Sequence, residues 1–138
     1  MQNRFAAAAG IALTVAWLAG CSSPQVPGPP AAWVTINGSD ALQTQSVTCR
    51  QLQWTWTIDI GDAASGANLS VGTGEQKPAA ISVHINNVGG FSGMYSQSDG
   101  AADTRVSGET FTIAGTANGI RTDTKEPASA QYKIVARC

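Results

Sequence analysis

Trp54-Thr55-Trp56-Thr57-Ile58-Asp59-Ile60 alternates large apolar side chains with polar ones over seven residues. Successive side chains of a strand point to opposite faces, so Trp54, Trp56, Ile58 and Ile60 share one face and the segment reads as a half-buried β-strand. Gly61 and the small residues 62–66 end it and leave room for a small helix. The period of two recurs on both sides. Upstream, Trp33-Val34-Thr35-Ile36 runs into Asn37-Gly38, a hairpin signal, and residues 45–53 set Val47, Cys49 and Gln51 against Ser46, Thr48 and Arg50. Downstream, residues 67–71 make a weaker strand, and Ile81, Val83 and Ile85 alternate with Ser82, His84 and Asn86. Residues 91–96, 104–107, 110–116 and 130–137 complete the set, with Asn87-Val88-Gly89-Gly90, Asp99-Gly100, Asn118-Gly119 and Glu126-Pro127 as turns. After Gly20 no window of ten residues carries a helical apolar stripe. The expectation is an all-β domain of about eight strands, mostly antiparallel because such short connections cannot make parallel crossovers. One polar face per strand suits a sandwich, a strongly curved sheet or a half-barrel, and the pattern does not choose among them.

The chain has 138 residues, enough for one domain. Eight basic residues stand against nine acidic ones, which leaves no surplus charge to neutralise a row of phosphates, so no nucleic-acid partner is expected. Charged residues make up 12%, about half the usual share, and Ser, Thr, Asn and Gln take their place, as suits an exported protein.

The amino terminus agrees. Met1-Gln2-Asn3-Arg4 precedes an uncharged apolar stretch over residues 5–20, which forms the n-region and h-region of an export signal. The stretch is shorter than the roughly 20 residues needed to cross a bilayer as a helix. Leu18-Ala19-Gly20-Cys21 follows, a branched apolar residue, two small residues and a Cys, and it resembles the bacterial lipobox. That resemblance implies a diacylglyceryl group on the Cys21 thiol, cleavage before Cys21, and a membrane anchor whose acyl chains each add about 0.8 kcal/mol per buried CH₂. Residues 1–20 are then a cleaved signal peptide. Residues 21–32, with Pro24, Pro27, Pro29 and Pro30, form the lipidated Cys and a semi-rigid tether, and residues 33–138 form the β-domain. With Cys21 acylated, Cys49 and Cys138 remain, an even pair in an oxidising compartment, and a disulfide between them is the default expectation.

The lipobox Cys21, the Pro-containing tether, Val34-Thr35-Ile36-Asn37-Gly38 and Ser46-Val47-Thr48-Cys49 together resemble the mycobacterial LpqH-type lipoprotein antigens. Asn86-Asn87-Val88-Gly89-Gly90, residues 112–119 and the terminal Tyr132-Lys133-Ile134-Val135-Ala136-Arg137-Cys138 extend the likeness over most of residues 33–138. The resemblance implies a lipid-anchored protein of the cell membrane or envelope that faces the exterior. It also implies a Cys49 to Cys138 disulfide, recognition of the acylated amino terminus by host Toll-like receptor 2, and no enzymatic activity. The tether offers only Ser22 and Ser23 for the O-mannosylation that family members can carry.

Candidate sites are few. His84 is the single histidine and lies on the polar side of its strand, and one histidine specifies no Ser-His-acid arrangement. Asp59 with Asp62, and Asp99 with Asp103, lack the alternate oxygen spacing of a Ca²⁺ loop and read as turn residues. No catalytic residue, metal or cofactor is expected. The Asn37-Gly38-Ser39 and Asn68-Leu69-Ser70 triplets carry little meaning in a bacterial protein. The aromatic residues offer one functional alternative: Trp33, Trp54 and Trp56 would build an apolar face that binds a lipid or glycolipid, making the domain a carrier.

Overall fold

The computed structural model describes residues 28–74 and 77–138. The expected signal peptide, Cys21 and the tether up to residue 27 lie outside the described residues. Ten strands follow one another: β1 (Ala31–Ile36), β2 (Ser39–Thr44), β3 (Val47–Leu52), β4 (Thr55–Gly61), β5 (Gly66–Gly72), β6 (Ala79–Val88), β7 (Phe91–Ser96), β8 (Asp103–Ser107), β9 (Thr110–Arg121) and β10 (Pro127–Arg137). A 3₁₀ turn, Gln97–Asp99, separates β7 from β8.

The strands form one sheet in the order β2-β1-β10-β9-β7-β6-β5-β4-β3, with β8 alongside the first half of β9. Every pairing is antiparallel, and the sheet curls into a nearly closed barrel. Sandwich and curved sheet were both open from the sequence, and the curved form is the one adopted. The edge strands β2 and β3 are consecutive in the chain and run in the same direction, as alternation along the sheet order requires. The chain thus leaves one edge and begins the other after only Gln45 and Ser46. Ser46 fastens this corner: its carbonyl accepts from the Gly61 amide at 2.8 Å, and its hydroxyl donates to the Gly61 carbonyl at 3.1 Å.

Inward positions fill the barrel. Phe111, Ile58, Leu69, Ile113, Ile134, Val34, Val71, Val83 and Val88 are its largest fully buried side chains among the described residues, drawn from six strands. Each contributes roughly 1.5–3 kcal/mol relative to exposure. The expected disulfide forms: Cys49 on β3 joins Cys138, one residue past β10, with Cα atoms 5.9 Å apart across 89 positions.

Three expectations need correction. The strand count is ten, because residues 39–44 pair with β1 and were not read as a strand. Residues 62–66 make no helix. The Asp62 carboxylate instead accepts from the amides of Ala64 and Ser65 at 2.9 and 3.0 Å, and the resulting Asx turn leads directly into β5. Asn118-Gly119 is not a turn: both residues lie inside β9, where Gly119 pairs with Gly93 of β7 and with Ala128 of β10. A Cβ on Gly119 would run into the Ser92 carbonyl and Gly93. Glycine is there because two backbones approach closely, not because the chain reverses.

Candidate functional site

The pairings define two ends of the barrel. One carries the start of β1, the last residues of β10, the β8–β9 turn, the β3–β4 turn and the β5–β6 connection. The other carries the β1–β2, β4–β5, β6–β7 and β9–β10 turns.

The structure does not gather Trp33, Trp54 and Trp56 on one face. Trp56 is half-buried on β4 and packs against the core on Phe111 of β9, ring centroids 5.3 Å apart. Trp33 lies on the outer side of β1, opposite buried Val34, with the Arg137 guanidinium 5.5 Å above its ring. Arg137 also donates from Nε to the Pro29 carbonyl at 3.0 Å, fixing the segment that leads into β1. Strand β1 itself begins at Ala31, so Ala31 and Ala32 belong to the barrel rather than to the tether. Trp54 is not in a strand at all. It occupies the two-residue β3–β4 turn after Gln53, whose φ is 54°, and it is 69% exposed. The period-two reading of residues 54–60 placed Trp54 beside Trp56 because it could not see that the pairing stops at Leu52 and Thr55.

Trp54 is held in this exposed position. Its carbonyl accepts from the Thr73 amide at 2.7 Å and from the Thr73 hydroxyl at 3.1 Å, and the indole lies over Gly74. With Ile81 and Lys77 it lines a shallow groove of about 450 Å³ on the outer wall. Leu52, 79% exposed, stands two residues away. Sequence reading passed over Leu52, although a signal existed: it falls out of phase with Val47 and Cys49, on the side of Arg50. Among the described residues the remaining exposed large apolar side chain, Met94, sits on the barrel wall between His84 and Asn118.

Of the polar candidates, Asp59, Asn68 and His84 lie in one row across β4, β5 and β6, and the others stand apart. His84 projects outward from β6 in register with Asn68 and Met94. Asp59 pairs with Arg50 at 3.2 Å and accepts a hydrogen bond from the Asn68 amide. Asp62 is occupied by its turn, and Asp103 pairs with Arg105 at 3.5 Å. Asn37 forms part of the β1–β2 turn, and its side chain accepts from the Gln131 amide at 2.9 Å. Among the described residues no three His, Cys, Asp or Glu side chains converge as metal ligands. The Tyr132 hydroxyl is buried without a partner, and burial first, then the nearby Tyr95, pushes its pKa well above the ordinary phenol value.

Comparison with known proteins adds to this geometry. The family described as Mycobacterium 19 kDa lipoprotein antigen matches residues 25–138. Two proteins that carry the name "Putative lipoprotein" are similar over the whole chain. The one from Mycobacterium indicus pranii is 50% identical with all of both chains covered. The one from Mycobacterium avium subsp. hominissuis is 41% identical, covering 100% of this chain and 97% of its own. Lipoprotein LpqH of Mycobacterium tuberculosis is 31% identical, covering 96% of this chain and 95% of its own.

Proposed function

The chain belongs to the Mycobacterium 19 kDa lipoprotein antigen family, and from that premise we propose that it is a surface-displayed, non-enzymatic lipoprotein anchored through diacylglyceryl-Cys21. As a lipoprotein-family member it is associated with the membrane or cell envelope. The observation that carries the finer reading is Leu18-Ala19-Gly20-Cys21 directly after a sixteen-residue apolar stretch. A peptidase that cuts before Cys21 leaves the acylated thiol as the first residue, and two or more acyl chains hold a protein where one chain would exchange. The barrel supports a display role, since its interior is filled by side chains and its carboxyl end is locked by Cys49–Cys138. In an infected host the acylated terminus is the group that Toll-like receptor 2 engages. The carrier alternative lacks a gathered aromatic face, with Trp56 packed against the core, Trp33 on the wall and Trp54 at one end.

Substitution Cys21→Ala tests the reading. The variant should either be released from the membrane fraction or stay there only through uncleaved residues 1–20, and in both cases lose stimulation of reporter cells that express Toll-like receptor 2. Membrane retention together with undiminished stimulation would overturn the assignment.

A further inference from the structure

We infer that the barrel end where the tether joins rests on the membrane that holds the anchor, with Leu52 and Trp54 seated among the phospholipid headgroups. The inference rests on the anchoring of Cys21 proposed above and adds a second, non-covalent contact made by the folded domain.

Four observations converge. Leu52 and Trp54 form an apolar hairpin tip, and Ile81 is exposed beside the same groove as Trp54. Leu52, the last residue of β3, and Trp54, in the turn two residues on, are both largely exposed to water, and an indole combines an apolar body with a polar N–H, which suits the lipid headgroup layer. The tip lies at the tether end. Ala31 pairs with Arg137, Cys138 is bonded to Cys49 at a Cα distance of 5.9 Å, and Leu52 follows Cys49 by three residues, about 10 Å along the strand.

The leash is short. From Cys21 to Gly28 there are seven residue steps, which span at most about 25 Å. A bilayer-anchored Cys21 therefore keeps this end within reach of the surface. The opposite end is polar by contrast. Its turns present Asn37, Asp62, Asn87, Asp123, Lys125 and Glu126, and no exposed large apolar side chain among the described residues lies there. Charge does not drive the contact, because Lys77 and Arg137 at the tether end are accompanied by Asp99 and Glu109.

The test uses the mature lipidated protein reconstituted in phosphatidylcholine/phosphatidylglycerol vesicles, with and without brominated acyl chains, and reads tryptophan fluorescence after flotation. Brominated lipid should quench the emission. Trp54→Ala should abolish most of that quenching, and Leu52→Asp, which keeps the indole, should weaken it. Both variants should still float with the vesicles, and raised salt should leave the quenching unchanged. Floating protein whose emission is untouched by brominated lipid, or is quenched equally in Trp54→Ala, would overturn the inference while leaving the anchor intact. Protein that does not float would instead contradict the anchor.

Discussion

Tyr132 carries a hydroxyl that the barrel buries beside Gly115 and Ala102 without a partner. A buried polar atom left unpaired costs about 1–3 kcal/mol, so Tyr132→Phe should keep or raise the melting temperature, and a clear fall in thermal unfolding would contradict the placement. The same phenol gives a pH prediction. Burial and Tyr95 raise its folded pKa above the unfolded value near 10. The folded state therefore holds the proton more tightly, and this contribution is complete below about pH 10 and lost progressively as pH rises beyond it. Absorbance at the phenolate band should show Tyr132 ionising only together with unfolding. Gly119 is the second residue on which the fold depends. Gly119→Ala must part β7 from β9 and should destabilise by about 2 kcal/mol or more, measured by urea unfolding. Neither role was legible beforehand, because Asn-Gly is locally a turn signal and only the approach of β7 from another part of the chain overrides it.

Strand alternation was the legible part of each element, and pairing partners were not. Ile58, Ile60, Val83, Ile85, Ile113 and Ile134 are inward as their period of two requires. The residues after Asn37-Gly38 show why counting failed. The chain from Ser39 to Leu52 is extended almost throughout, yet its first half pairs with β1 and its second with β4. No local signal marks that exchange, because both halves keep the same direction and only the corner bonds of Ser46 to Gly61 divide them. The β3–β4 hairpin posed the converse problem: Trp54 fits the alternation of β4 but sits in the turn, so a residue that period two places on one face with Ile58 and Ile60 is the most exposed tryptophan among the described residues. Within β4, truncating Ile58 to Ala should cost about 2–5 kcal/mol, while Arg50→Ala, which removes an exposed ion pair with Asp59, should cost under about 1 kcal/mol. Equal effects in denaturant titrations would contradict the inward and outward assignment of these strands.

For the whole molecule, Cys49–Cys138 ties the edge strand β3 to the end of β10 and closes 89 positions of chain. The chain-entropy model assigns such a loop about 4.5 kcal/mol, an upper figure. A Cys49→Ala/Cys138→Ala pair should therefore unfold at markedly lower denaturant, with residues near Arg137 the first to lose amide protection. A double variant as stable as the parent would contradict the closure. Under the proposed function, amino-terminal chemistry and barrel divide the labour: Cys21 would anchor, the short tether would confine, and the disulfide-locked sheet would be displayed. The central claim is the acylated Cys21, and intact mass on detergent-extracted protein tests it most directly. The account predicts a chain of residues 21–138 that carries a diacylglyceryl group and is two protons light for the Cys49–Cys138 bond. A mass matching residues 21–138 with an unmodified thiol, or one that retains residues 1–20, would contradict it.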